Sequence, residues 1–222
     1  YLQEHEAKPD DAAGRKLAGV LNLPLVELPL VWDFGNLAHN GKGVGIVTER
    51  LLSDNEQSHG REEIEVLCGS VLGIEKLIVV PEEPGDDTGH IDGMVRFLDE
   101  RTAAVASYPD AFPEGKKFMD EVALQVEREL GEGYRVIRVL NGVPSDHSEE
   151  GIGSAFGNHL NFLRLGDTIL LPVYGIEEDG DAVSAISRAN PWISVSGIGP
   201  RYVDELSHRG GVLNCISWVL FE

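Results

Sequence analysis

The chain has 222 residues, 42% hydrophobic and 25% charged, a globular balance with room for one large domain or two small ones. Its 38 acidic and 18 basic residues leave a formal net charge of -20, which argues against a nucleic-acid partner because phosphates would be repelled. The acid excess reads first as a solvated surface and more narrowly as a field that draws in a cationic substrate, and no stretch reaches the length of a membrane span.

Residues 10–21 read as a helix, with Asp10 or Asp11 as its cap and Leu17, Ala18 and Leu21 on a partly apolar face. Residues 25–31 read as a short strand weakened at Pro29. Asn40-Gly41-Lys42-Gly43 is a turn signal, so residues 37–48 form a hairpin that returns along 44–48. The run Gly41-Lys42-Gly43-Val44-Gly45 is better read as that turn than as a phosphate loop. No Gly-x-Gly-x-x-Gly or Walker pattern occurs. A helix follows over 62–72 and a nearly continuous apolar strand over 76–80.

An acidic loop at 81–88 delivers the chain to Gly89-His90-Ile91-Asp92. Strands are expected at 94–98 and 102–107, a helix at 118–130 and a strand at 135–140. A polar loop over 141–157 leads to a strand pair, 160–164 and 168–173, around Gly166-Asp167. A short helix at 181–188 and a strand at 213–218 close the chain. Strand, turn, strand, helix, strand recurs about three times without obvious sequence identity. That alternation implies an α/β protein, and the hairpins imply mixed sheets.

Two cysteines, Cys68 and Cys215, do not make a disulfide framework and suit a reducing compartment. Cys68 sits in an apolar helical pattern. Cys215 follows two glycines in Gly210-Gly211-Val212-Leu213-Asn214-Cys215-Ile216-Ser217-Trp218. A lone cysteine is more often an ordinary buried residue. Beside the Gly-His-x-Asp island, however, it supplies the thiol of a thiol, imidazole and carboxylate set.

In an extended segment His90 and Asp92 would point to one face, so the carboxylate could grip a cation while the imidazole moves protons. The plainer alternative is a loop histidine and a capping aspartate. A metal set could be assembled on paper from His90, Asp92 and one of His147, His159 or His208. The His-Glu-x-x-His and paired-cysteine patterns are absent, so no metal is expected. Asn158, His159 and Asn161 flank a strand start, where Asn161 either aims into a site or fastens a loop. Asp33 has a similar choice between a site and a turn.

Taken in order, Asp33-Phe34-Gly35-Asn36, Gly89-His90-Ile91-Asp92 with Arg96-Phe97, Asn158 through Asn161, and Gly210-Gly211-Val212-Leu213-Asn214-Cys215-Ile216 resemble the bacterial peptidylarginine deiminase and agmatine deiminase family of guanidino-group-modifying enzymes. The resemblance runs through nearly the whole chain. It implies a β/α propeller of ββαβ-like modules with pseudo-fivefold symmetry. It implies Cys215 as nucleophile, His90 as general acid and base, and Asp92 as a guanidinium-binding carboxylate. Asn161 matches an asparagine near the active site, and Asp33 and Asn36 are expected as further substrate contacts.

The implied reaction is hydrolytic deimination through a covalent thiouronium on the cysteine. Agmatine, giving N-carbamoylputrescine and ammonia for putrescine biosynthesis, is favoured because a small free cation suits an enclosed centre. Arginine, peptidyl-arginine, and a non-catalytic cation-binding homologue stay open. The expected partner is a small cationic guanidine, with no metal or organic cofactor, no nucleic acid and no membrane. The expected location is cytoplasmic, and a homo-oligomer stays open.

The chain departs from the family twice. Phe34 stands where the family has a glycine, so the backbone and contacts there differ. The family's N-terminal Arg-Asp island, whose aspartate is a second clamp on the guanidinium, has no counterpart. There is also no initiator Met. Residues 1–222 are therefore expected to form a single, N-terminally incomplete domain, or to belong to a truncated and inactive homologue.

Overall fold

The computed structural model describes residues 12–144 and 153–217. Helix α1 (Ala13–Leu21) comes first and ends on Asn22, whose left-handed backbone lets its N–H close the last turn. Asp10 and Asp11, expected as its caps, lie outside the described residues.

No strand forms over residues 25–31, against the sequence expectation. Pro29 has no N–H to give a ladder. The backbone of Val31 pairs with a side chain instead. Its N–H donates to Asn55 Oδ1 and its carbonyl accepts from Asn55 Nδ2, each at 2.8 Å. Leu25, Val26 and Val31 stay exposed.

Three ββαβ modules follow. In the first, β1 (Ala38–His39) pairs antiparallel with β2 (Val44–Thr48), and α2 (Arg50–Ser53) with α3 (Arg61–Leu72) crosses over to β3 (Lys76–Val80), parallel to β2. The second contains β4 (Val95–Asp99), β5 (Thr102–Ser107), α4 (Pro113–Leu130) and β6 (Arg135–Leu140), with the same pairing. The third contains β7 (Leu163–Leu165), β8 (Thr168–Pro172), α5 (Glu178–Ala189) and β9 (Ser194–Ile198). Helix α6 (Pro200–Ser207) comes after.

A tight turn can join antiparallel strands, but a parallel pair needs a crossover, and a helix supplies it each time. The middle strand of each sheet therefore carries one partner of each sense. Strands β2 and β5 are covered on both faces, and their residues from Val44 to Thr48 and from Thr102 to Ala106 are buried throughout. That is why they read as apolar runs and not as alternating patterns.

Helix α4 starts earlier than expected because Pro113 opens it, a position where a missing N–H costs nothing. Glu178 and Asp179 likewise extend the start of α5, with acidic side chains favourable in a first turn. Strand β9 and helix α6 carry weak sequence signals. The first is Ser- and Gly-rich and largely exposed, and the second spans only Pro200–Ser207.

No strand forms over residues 213–217, where one was expected; the backbone turns instead, and Trp218 lies outside the described residues. The backbone N–H groups there converge on a side chain of another segment, which is incompatible with a ladder.

One apolar core runs through all three modules and includes Ile46, Ile78, Val105, Met119, Val139, Phe162 and Ile169. A smaller cluster of Val47, Leu51, Ile64, Cys68 and Ile74 lies under α2 and α3. Glu83 follows β3, Tyr108 follows β5 and Asn141 follows β6, so chain segments leaving the carboxyl ends of parallel strands supply part of one cavity wall. Such ends collect ligand sites in α/β sheets because the loops there are free to vary.

Ile46→Ala would empty part of the shared core and should lower unfolding free energy by about 2–5 kcal/mol, read by urea denaturation. Leu165→Ala, at a half-exposed side chain, should stay within about 0.5 kcal/mol. Equal effects of the two would contradict this placement of the core.

Candidate active site

A cavity of about 330 Å³ is lined by His90, Asp92, Asn158, Asn161 and Cys215, together with Glu83, Asp86, Tyr108 and Asn141. Its volume lies at the low end of small-molecule pockets. Most lining segments are joins between modules: 83–94 between β3 and β4, 141–144 and 153–161 between β6 and β7, and 210–215 after α6.

Asp92 lies at the centre of the polar network and is 5% exposed. A buried carboxylate needs partners. Its Oδ2 accepts from Asn161 Nδ2 at 3.0 Å and Asn214 Nδ2 at 2.7 Å. The Cys215 thiol donates to the same oxygen at 3.7 Å. Asn161 Nδ2 also reaches Cys215 Sγ at 3.1 Å. The other end of the Asn161 amide collects the backbone N–H groups of Val212 (3.2 Å), Asn214 (3.0 Å) and Cys215 (3.4 Å).

One asparagine thus folds the 212–215 turn and presents its thiol. Gly211 is required there, because a Cβ would lie 2.7 Å from Cys215 Cβ and 3.1 Å from its Sγ. Cys215 is exposed as a residue and lines the cavity.

Burial pushes the Cys215 thiol up to about 11, and the Asp92 charge adds to that, against the hydrogen bonds from Val212 and Asn161 that favour thiolate. The thiol is therefore protonated at neutral pH in the ligand-free site. Arg96 adds a deeply placed cation whose field reaches Asp92 and Cys215, with its guanidinium 4.6 Å from the Phe162 ring centroid.

His90 and Asp92 both line the cavity, although their segment is a bend and turn and not the extended stretch used to predict a shared face. His90 Nε2 stands 3.6 Å from Asp33 Oδ2, an ion-pair distance and too long for a hydrogen bond. Burial alone would lower the His90 pKa. The carboxylates of Asp33, Asp92 and Asp86 outweigh it and leave the ring more basic than usual. Gly35 makes the approach possible, since a Cβ there would sit 2.4 Å from His90 Nδ1. Phe34 is exposed and stacks on Trp32, with centroids 5.8 Å apart, so its bulk is accommodated outside the site.

Asp33 and Asn36, both expected as substrate contacts, stand apart from the cavity lining. Asp33 faces His90. The Asn36 amide oxygen accepts from Thr48 N at 2.8 Å and Thr48 Oγ1 at 3.1 Å, fastening the end of β2. His159 is fully buried against Asp179 at 2.9 Å, while His147 lies outside the described residues. No group of three His, Cys, Asp or Glu among the described residues is arranged to hold a metal. No described helix is long and apolar enough to cross a membrane.

Sequence reasoning singled out neither Asn214 nor Glu83, Tyr108 and Asn141. The position of Asn214 directly before Cys215 was the available signal. The other three lie scattered along the chain, and only the fold brings them together.

The family model for Porphyromonas-type peptidyl-arginine deiminases matches residues 2–220. A Photobacterium profundum protein, provisionally named as an agmatine deiminase, is 24% identical over 230 residues, covering 94% of this chain and 62% of that protein. The solved agmatine deiminase of Enterococcus faecalis superposes with a TM-score of 0.79 at 21% identity, over 93% of this chain and 62% of that one. The C. jejuni agmatine deiminase gives 0.79 at 20% identity, over 96% and 63%. The chain thus spans about three-fifths of the length of these relatives, and the two superpositions carry the fold.

Alkylation of Cys215 by iodoacetamide should be slow at neutral pH and accelerate toward a midpoint near 11, because the thiolate is the nucleophile. A plateau already reached at the ordinary cysteine value of 9.0 would contradict the burial beside Asp92.

Proposed function

The chain belongs to the Porphyromonas-type peptidyl-arginine deiminase family, and from that premise we propose that it hydrolyses a guanidinium group, agmatine first, to a ureido product and ammonia. One observation carries the reading. A thiol, a buried carboxylate and an amide meet within 3.0–3.7 Å in a cavity that also contains an imidazole. Agmatine is favoured over arginine and peptidyl-arginine because the Photobacterium profundum and Enterococcus faecalis relatives are named for agmatine, and because the cavity suits a small free cation.

Asp92 would hold the planar cation by charge-assisted hydrogen bonds. With the guanidinium in place, its positive charge opposes the field that keeps Cys215 protonated. The thiol proton then passes to solvent at the cavity, and the thiolate attacks the central carbon, forming a C–S bond. His90 in its acidic form, which the carboxylates of Asp33, Asp92 and Asp86 favour, gives a proton to the departing nitrogen as the C–N bond breaks and ammonia leaves. Neutral His90 next takes a proton from water, whose oxygen attacks the thiouronium carbon. The C–S bond breaks, the hydroxyl proton passes to the departing sulfur, and the thiol and a urea are returned. No redox partner is needed for this balance. Asn161 would position the thiol throughout, and Asp33 would act on His90 rather than on substrate.

The three ββαβ modules read as successive blades of a propeller, in keeping with the 62% of the relative's length that the chain covers.

In the whole protein, Cys215→Ser should abolish ammonia release from agmatine while leaving most ligand affinity. His90→Ala should lower kcat by about 10²–10⁴. Asp92→Asn should weaken both binding and turnover, since an incoming cation loses its partner. As pH rises through the His90 pKa the general acid is lost, so the acidic form of His90 sets the falling limb of the rate profile. Ammonia release that survives Cys215→Ser would overturn the covalent mechanism.

A further inference from the structure

The cavity has a second acidic feature that the deimination chemistry does not use. Three carboxyl side chains line it, Glu83, Asp86 and Asp92, and no Lys or Arg does so among the described residues. Asp92 has Asn161, Asn214 and the thiol on its Oδ2 and is already assigned to the guanidinium. Asp86 is occupied with its own loop: Oδ1 accepts from Thr88 N at 2.9 Å and Thr88 Oγ1 at 2.7 Å, and Oδ2 accepts from His90 N at 3.2 Å. Glu83 differs. Tyr108 donates its hydroxyl to Glu83 Oε1 at 2.5 Å, and this bond orients the carboxyl group.

Tyr108 is itself fixed. It is 5% exposed and meets the Phe112 ring edge to face, with centroids 5.1 Å apart. Asn141 lies beside the Tyr108 hydroxyl in the same wall. It is 1% exposed, and its amide nitrogen has no hydrogen-bond partner among the described residues. A buried amide donor left open is costly unless the occupied site completes it. A small shift of Asn141 toward Tyr108 would give a chain of donors, Asn141 to Tyr108 to Glu83. Such a chain favours the ionised carboxylate, as a bound cation would.

We propose that Glu83, held by Tyr108 and Asn141, receives a second cationic group of the ligand, so that the cavity selects an aliphatic guanidine ending in a primary ammonium. This rests on the reading of Asp92 as the guanidinium site. An ammonium has three donors and no acceptor, which matches a carboxyl oxygen in an acid-lined wall. A guanidine with an uncharged tail would leave that wall unmatched, and a site built to pair a polar group discriminates against an analogue lacking it.

Proton linkage gives an independent readout. Burial pushes the Glu83 carboxyl up to about 7, with Tyr108 working against the rise and Asp86 adding to it. Below that value the empty site holds Glu83 mostly protonated. An ammonium favours the carboxylate, so binding must expel the proton. The other titratable groups facing the cavity are Asp86, His90, Asp92, Tyr108 and Cys215. A guanidinium alone acts on His90 and Cys215, so the Glu83 proton is the excess released by a ligand with a tail ammonium.

The experiment is calorimetry on the whole protein with Cys215→Ala, which blocks turnover, using agmatine and n-butylguanidine as probes. Agmatine should bind at least about tenfold more tightly than n-butylguanidine, and should release more protons at pH 6.5. Glu83→Gln should remove most of that preference and the excess proton, leaving n-butylguanidine affinity nearly unchanged. Tyr108→Phe, which keeps the carboxyl group but frees it, should remove part of both. Asp92→Asn should weaken both ligands alike. An unchanged agmatine preference in Glu83→Gln, with Asp92→Asn still weakening both probes, overturns this proposal and leaves the guanidinium site standing. Failure of both probes to bind before any of these further changes overturns both.

Discussion

Asp92 is a carboxylate in a place where water cannot solvate it freely, and much of the site is built around that constraint. Its partners come from two remote segments, Asn161 before β7 and Asn214 after α6. The Asn161 oxygen in turn gathers three backbone N–H groups of the 212–215 turn. The loop from β3 to β4, the loop from β6 to β7 and the segment after α6 are therefore joined through one carboxylate and one amide. The turn holding Cys215 exists because those N–H groups have a side-chain acceptor. Loss of Asn161 would remove both the thiol's hydrogen bond and the fold of the turn that carries it.

The same arrangement makes the empty site electrostatically incomplete. Burial and then the Asp92 charge raise the thiol pKa, the surrounding carboxylates raise that of His90 against burial, and burial raises that of Glu83. Each shift retains a proton that a cationic ligand would help to displace or redistribute. Arg96 offsets part of the negative field from beneath, yet the thiol remains shifted upward. In this arrangement ligand charge and nucleophile ionisation are coupled through a few ångströms of protein.

The repeating modules were legible because their signals are local. Asn40 to Gly43 marks a turn whatever surrounds it, and Val44–Thr48, Lys76–Val80 and Thr102–Ser107 are apolar enough to be strands anywhere in such a fold. The thiol, imidazole and Asp92 were legible as well, because His90 and Asp92 sit two positions apart and Cys215 follows a glycine pair. Residues 25–31 and 213–217 were misread for a shared reason. In each, a distant asparagine, Asn55 or Asn161, takes the backbone groups that strand propensity assigns to a neighbouring strand. Asp33 stands beside His90, a contact that requires Gly35 to admit the ring and that no spacing encodes. Glu83, Tyr108 and Asn141 follow three different strands, so their meeting depends on the fold alone.

The most direct measurement is the ionisation midpoint of Cys215 with and without a saturating guanidine, followed by thiolate absorbance in a His90→Asn variant that binds without completing turnover. The coupling predicts a midpoint near 11 in the empty protein and a clear fall once the cation sits against Asp92. A midpoint that stays in place, or rises, while calorimetry shows the guanidine bound would contradict it.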